Sequence, residues 1–271
     1  MSAPSGRPPC AFGYAPVATR IADYSVMALA IILGGGSLVL FAWPGRPVLA
    51  PMGLPLAGAL WWNAVLSLFF FAQHSVMVRR PVRARLSAVI PARYDGAFYA
   101  ITSGIALTFV VVLLQPGGPP LFVLQGVSRL MVRAAALLAL AGLIWSGHAL
   151  KGFDPLGLGP IRQHLRGLPV EPFGFPFRAK PFVVCGPYRW VRHPLYSCII
   201  VLLWADPGPR PGRLVVASLW TAWIYAGALL EERDLIAEFG DRYRRYREQV
   251  PILIPWREPA PAQVEPAHEA Q

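Results

Sequence analysis

Charge is scarce in this 271-residue chain: Asp, Glu, Lys and Arg make up 14% of it, against about 25% in ordinary soluble domains. Lysine is scarcer still, with only Lys151 and Lys180 among the 25 basic residues. Cysteine occurs three times, as Cys10, Cys185 and Cys198, with no Cys-x-x-Cys pair and no histidine at zinc spacing. These absences exclude a disulfide scaffold and a zinc module, and leave the cysteines as small hydrophobes or free thiols. No metal site is expected. The apolar composition also excludes a disordered chain, and no internal repeat marks a solenoid.

Apolar bulk takes the place of charge, with 55% hydrophobic residues. A bilayer-crossing helix needs about 20 mostly apolar residues, and the stretches 22–43, 54–77, 97–114 and 130–150 supply them. A fifth run, Pro194–Ala205, gives only roughly 18 Å of helix against a hydrocarbon core of about 30 Å. Asp206-Pro-Gly-Pro-Arg-Pro-Gly-Arg213 follows, and then a long apolar run over 214–230. The pair reads as a helical hairpin with a short first arm. Non-helical backbone at that depth must be covered by protein or line a cavity, so the short arm is the first pointer to a site. The expected fold class is an all-α integral membrane protein of about six transmembrane segments, four full spans plus the C-terminal hairpin.

Orientation follows from arginine. Arg79, Arg80, Arg83, Arg85 and Arg93 fall in 78–95, and seven more basic residues fall in 151–193. By contrast 44–53 holds only Arg46, and 115–129 only Arg129. The positive-inside rule places both basic segments and both termini in the cytoplasm. Topology thereby accounts for most of the net charge of +11, and nucleic acid is not an expected partner. The first apolar run is too long for a signal-peptide core, and no small-residue cleavage site stands out, so an uncleaved first helix is expected. The chain divides into an N-terminal cytoplasmic segment (1–21), a four-helix membrane region (22–150), a C-terminal region with the hairpin (151–256), and a Pro/Ala/Glu-rich tail (257–271) expected to be disordered.

Two constellations carry chemistry. Six of the fourteen acids lie in the stretch from Glu231 to Glu248, directly after the last apolar run. Glu231-Glu232 sits where hydrocarbon gives way to water, a costly place for a carboxylate unless it is paired or used. Alternatively the pair marks a helix end emerging into solvent, with Arg233 and the arginines of 242–247 as partners. The second constellation is Gly186-Pro-Tyr-Arg-Trp-Val-Arg-His-Pro-Leu-Tyr196. Gly186-Pro187 marks a turn, and Pro194 stands as first residue of the next helix with His193 at its cap. Such a helix start suits a carboxylate or phosphate, and Arg189, Arg192 and His193 add donors; a basic anchor for lipid headgroups is the competing reading.

The string GPYRWVRHPLY, followed by EERDLIAEFGDRYRRYREQVPILIP, resembles the C-terminal signature of the integral-membrane methyltransferases. That group takes in isoprenylcysteine carboxyl methyltransferases, phospholipid methyltransferases and NnrU-like proteins. FFAQHSVMVRRP (70–81), FDPLGLGPIRQHLRG (153–167) and LLWADP (202–207) are similar to segments of the bacterial methanethiol S-methyltransferases. The resemblance implies a membrane enzyme that uses S-adenosylmethionine, with a cytoplasmic cofactor-binding loop and a capping C-terminal helix. It implies that Gly186, Pro187, Tyr188, Arg192, His193, Pro194 and Tyr196 hold the cofactor's methionyl end. Glu231 and Glu232 are expected near its amino or ribose groups, with Arg233, Tyr243 and Tyr246 closing the pocket.

The implied reaction methylates a small lipophilic thiol arriving through the bilayer, methanethiol giving dimethyl sulfide. Another lipophilic acceptor, or a non-catalytic NnrU-like role, are the alternatives. On the acceptor side, His74 is a candidate general base or an interfacial histidine bonded to backbone. Asp154 and His164 are candidates for orienting the acceptor, or for ordering their loop.

Overall fold

The computed structural model describes residues 16–42, 50–150, 153–170 and 182–265. Among them, five helices are long and apolar enough to cross a membrane. The first, Val17–Phe41, comprises α1 (Val17–Leu29), a π-helical stretch (Ala30–Gly35) and α2 (Gly36–Ala42). It is followed by α3 (Leu56–Met77), the short α4 (Arg80–Leu86), α5 (Asp95–Leu113) and α6 (Gly126–Ala149). Then come the short α7 (Gly159–Leu165), the hairpin arms α8 (Pro194–Trp204) and α9 (Pro211–Phe239), and α10 (Asp241–Gln249). The expected count of four full spans plus a hairpin is what the structure contains.

The first span, α5, α6 and α9 begin earlier than hydropathy suggested, while α3 begins two residues later, at Leu56. α9 continues past the apolar run 214–230 to Phe239 and stops only at Gly240, whose φ of +57° breaks the helix. Its first 20 residues cover about 30 Å, the hydrocarbon thickness, and end one residue before Glu231. α9 therefore carries the acidic pair inside a continuous helix rather than at a frayed end.

Why the first span carries a π-helical stretch is visible at Gly104. A Cβ there would collide with the backbone of Leu33 and Gly34, so α5 packs backbone to backbone on the π turn. Small residues at such crossings are what brings membrane helices together, and the wide turn adjusts register at the contact. Above that contact, α2, α3, α5, α8 and α9 converge on one core that includes Phe41, Phe70, Leu107, Val110 and Trp220. α6 is peripheral. It leans on α8 through Ala136, Ala139, Leu202 and Ala205, while Leu130, Leu137, Leu138 and Ile144 face outward, as lipid-facing side chains do.

The short arm α8 is completed by loop-to-loop bonding at its far end. Leu121 N–H donates to Pro209 O (3.0 Å) and Leu124 N–H to Pro207 O (2.7 Å), so the α5–α6 loop covers the Pro/Gly turn. Asn63, fully buried, donates to the carbonyls of Gln115 (2.8 Å) and Gly212 (3.3 Å) and accepts from Gln115 N–H (2.9 Å). The expected protein cover over non-helical backbone is thus present.

At the opposite end, β1 (Phe182–Val184) pairs antiparallel with β2 (Gln263–Glu265). The disordered tail expected from residue 257 is corrected over 257–265: Ala260 exchanges backbone and side-chain bonds with Arg189 and is buried. Composition missed this because the pairing partner is distant in sequence. Residues 266–271 and the first 15 lie outside the described residues.

Gly104→Ala is expected to force α1 and α5 apart and cost about 1–3 kcal/mol, read as a lower unfolding temperature in detergent. Wild-type stability would show that the close approach is not a constraint.

Candidate active site

Gly186 opens the turn in a left-handed conformation (φ +54°), with Trp145 Nε1 and Ala149 Cβ 3.3 and 3.2 Å from where its Cβ would stand. Both the backbone angle and the close neighbours demand glycine. Pro187 continues into a single 3₁₀ turn, Gly186–Arg189. The chain then runs without regular secondary structure through Arg192 and His193, whose N–H groups donate to Pro251 O (2.9 Å) and Ile252 O (3.1 Å). Ser197 Oγ adds a bond to Leu253 O (2.7 Å). The segment after α10 is therefore the backbone partner of the segment before α8.

The carboxylate pair of α9 meets this mouth directly. Glu232 is 2% exposed. Its Oε1 accepts from Arg192 Nε at 2.6 Å and lies 3.3 Å from His193 Nε2. Arg247 Nε, from α10, approaches Oε2 at 3.1 Å, but out of line, so this buried oxygen keeps an unused acceptor position. Arg192 is itself held by the carbonyls of Arg247 and Val250. Glu231 Oε2 accepts from Tyr196 OH at 2.7 Å and lies 3.8 Å from His193 Nδ1. His193 and Tyr196, one helical turn apart, stack with ring centroids 5.3 Å apart and planes within 5°.

Of the residues expected around the cofactor, the structure joins Arg192, His193, Tyr196, Glu231 and Glu232 in this one network. Gly186, Pro187 and Pro194 build its backbone frame. Tyr188 accepts, through its carbonyl, from Tyr246 OH at 2.6 Å. Tyr243 and Tyr246 are buried beside Phe182, Leu235 and Val250 in an apolar cluster under the network. Burial keeps the phenols of Tyr188, Tyr243 and Tyr246 well above their usual titration range, so they stay neutral donors. Arg233 departs from expectation: it is exposed, with no ion-pair partner among the described residues. α9 turns its side chain outward while presenting Glu232 inward, and Arg247 supplies the cation instead.

The acceptor-side candidates fall into three separate sets of contacts. His74 lies against Phe70 (ring centroids 5.2 Å apart) and Trp223 (5.4 Å), with Tyr99 OH 2.7 Å from Nε2 and Ser103 Oγ 3.3 Å from Nδ1. Asp154 accepts from Leu158 N–H (2.9 Å) and Gly159 N–H (2.6 Å), one bond to each oxygen, so it caps the start of α7. His164 Nδ1 lies 2.8 Å from Asp23 Oδ2. Asp23 is fully buried and also accepts from Tyr94 OH (2.6 Å) and Arg93 Nε (3.2 Å), tying α1 to α7 and to the start of α5.

Sequence reasoning passed over Asp23, although a lone carboxylate inside an apolar span was a visible signal. It also passed over Tyr99, which stood in an apolar run, and it named Arg247 only among the arginines of 242–247 as a partner for the acidic pair.

As a donor–acceptor set, the network pairs carboxylates that accept from ammonium or hydroxyl groups with cations and α8 amide groups that donate to a carboxylate. The unused position on Glu232 Oε2 adds an acceptor. That set suits a ligand that carries both an amino group and a carboxylate.

Together, fold and site define a multi-pass helical membrane protein with a polar network where its hairpin leaves the bilayer. No family model matches the chain, and no solved structure does. The methanethiol S-methyltransferase of Mycobacterium tuberculosis is 31% identical over 212 residues, 78% of this chain and 84% of that protein. That of Pseudomonas deceptionensis is 34% identical over 202 residues, 73% of each. The chain belongs to the methanethiol S-methyltransferase family. A more distant similarity, 26% over 202 residues, reaches the rat protein Nurim, covering 66% of this chain and 69% of that one.

Asp154→Ala is expected to lower stability by about 1 kcal/mol through the lost cap and to leave turnover unchanged. A turnover loss at an unchanged unfolding temperature would return Asp154 to the reacting groups.

Proposed function

We propose that the protein is an S-adenosylmethionine-dependent methyltransferase of the bacterial cytoplasmic membrane that converts methanethiol to dimethyl sulfide. The observation that carries this is the meeting of the α8 mouth with the α9 carboxylates. Arg192, His193 and Tyr196 contact Glu231 and Glu232 where α9 leaves the bilayer. The names of the bacterial relatives support the acceptor. Arginine in 78–95 and around 162–192 supports an orientation with this end, and both termini, in the cytoplasm.

In this reading Gly186, Pro187 and Tyr188 shape the wall of the cofactor site, and Leu195 and Tyr196, in the first turn of α8 after Pro194, offer N–H groups to the methionyl carboxylate. Arg192 adds positive charge there and His193 a ring nitrogen, while Glu231 and Glu232 accept from the amino and ribose hydroxyl groups. Tyr196 holds Glu231 in place. Tyr243 and Tyr246 support the site from below. The cofactor supplies a methyl group already activated on a sulfonium, so the protein's part is to align the thiol, deprotonate it and exclude water. A small apolar thiol reaches this depth from the lipid while the polar cofactor enters from the water side, and a site at the boundary serves both.

Membranes carrying the protein, given methanethiol and S-adenosylmethionine, are expected to release dimethyl sulfide above an empty-vector control in headspace chromatography. Calorimetry with S-adenosylhomocysteine provides the binding readout. His193→Ala and Glu232→Gln are each expected to weaken that binding about tenfold or more, the worth of one hydrogen bond to a charged group, without altering membrane insertion. Wild-type affinity in both would mean that the cofactor lies elsewhere.

A further inference from the structure

The turn that frames the proposed cofactor site is too short to hold its own shape. Gly186–Arg189 is a single 3₁₀ turn, a geometry with poor internal hydrogen bonds, and it follows a strand of only three residues, β1. The carbonyls of its last two residues are taken by distant parts of the chain. Tyr188 O accepts from Tyr246 OH of α10 (2.6 Å), and Arg189 O accepts from Ala260 N–H (2.9 Å). Arg189 Nε returns a bond to Ala260 O (2.6 Å), so two residues 71 positions apart are joined reciprocally. This engages the arginine that the sequence offers as a donor beside the start of α8.

Ala260 belongs to a segment fastened at three places between Trp256 and β2. Arg257 donates to Glu248 O near the end of α10. Ala260 is 7% exposed and packs in the cluster of Val184, Tyr243 and Tyr246. Gln263 pairs with Val184, two residues before Gly186. Pro259 and Pro261 flank Ala260; each fixes its own φ and biases the residue before it toward extended backbone, which lowers the entropy lost when the segment orders. The segment therefore grips the turn at both ends, at Val184 on entry and at Arg189 on exit.

We propose that residues 257–263 are a strap that sets cofactor affinity by holding the Gly186–Arg189 turn in its binding shape, with Arg189 and Ala260 as the positioning pair. This rests on the reading that the turn walls the site of the methyl donor. With the strap in place, the left-handed Gly186 and the carbonyls of Tyr188 and Arg189 are fixed before the cofactor arrives, so binding does not have to order them. With the strap lifted, the cost of ordering the turn is subtracted from the cofactor's affinity. The strap acts on binding and not on the transfer of the methyl group.

The test uses the full-length protein. Wild-type formation of dimethyl sulfide from methanethiol and binding of S-adenosylhomocysteine come first; failure there removes the functional reading itself. Ala260→Glu puts a charge into the buried slot and lifts the strap, Arg189→Met removes only the side-chain bond, and Ala260→Gly keeps both bonds of residue 260. Ala260→Glu is expected to raise KM for S-adenosylmethionine and Kd for S-adenosylhomocysteine about tenfold, a loss of the size of one charge-assisted hydrogen bond. In that variant kcat at saturating cofactor should be unchanged, and amide hydrogen exchange should quicken over 183–190 but not in α8 or α9. Arg189→Met should move KM and exchange in the same direction, and Ala260→Gly should match the wild type in both. A wild-type KM in Ala260→Glu, or a lower kcat at an unchanged KM, would overturn the proposal. So would an affinity loss in Arg189→Met that Ala260→Glu does not share, since Arg189 would then serve the cofactor itself. Should Ala260→Glu fail to fold, Arg189→Met decides: a raised KM with faster exchange over 183–190 supports the strap, and unchanged exchange overturns it.

Discussion

A carboxylate buried at the lip of a membrane has to be compensated by positive charge from somewhere, since desolvation otherwise forbids it. Glu232 obtains that charge from Arg192 ahead of α8 and Arg247 on α10, with the His193 imidazole 3.3 Å from its Oε1. Every one of those contacts is long-range in the chain. Together they set the register between the mouth of α8 and the exit of α9, and they hold α10 so that the following strand of chain can bond Arg192 and His193. The geometry of the proposed cofactor site follows from satisfying one buried charge.

The other end of the molecule makes this possible. A hairpin arm too short to cross the bilayer leaves its turn at a depth where bare backbone is expensive. Here the α5–α6 loop supplies the missing partners, and Asn63 fastens α3 to the start of α9. With the turn held there, α8 can begin deep enough for its first turn to meet α9 at the boundary. The aromatic core between the two ends, centred on Phe70 and Trp220, keeps the helices at a fixed spacing and brings His74 against Trp223.

Much of this was legible beforehand, and for physical reasons. Spans are visible because lipid demands long apolar runs, and Gly186, Pro187 and Pro194 are visible because few other residues suit a left-handed turn or a helix start. The acidic pair stood out by its position. Asp154 and His164 illustrate the converse: residue type left open whether they orient an acceptor or order their loop, and the structure shows the oxygens of Asp154 on amides at the start of α7 and His164 against the buried Asp23. Tyr99 shows a third case, a hydroxyl hidden in an apolar run until another helix brings His74 within 2.7 Å of it. The tail is a fourth, since a composition that reads as disordered forms a strand once β1 offers it a partner.

From the chain by itself came the number of spans, the short arm and the neighbourhood of the two constellations, because each depends on how single segments partition between lipid and water. Tertiary structure alone decided which carboxylate meets which cation, and which of the arginines of 242–247 reaches Glu232. His193 and Glu232 are 39 residues apart, and Arg192 and Val250 are 58 apart. Pairings over such separations are selected by the packing of several helices at once, and no local pattern of residues encodes them.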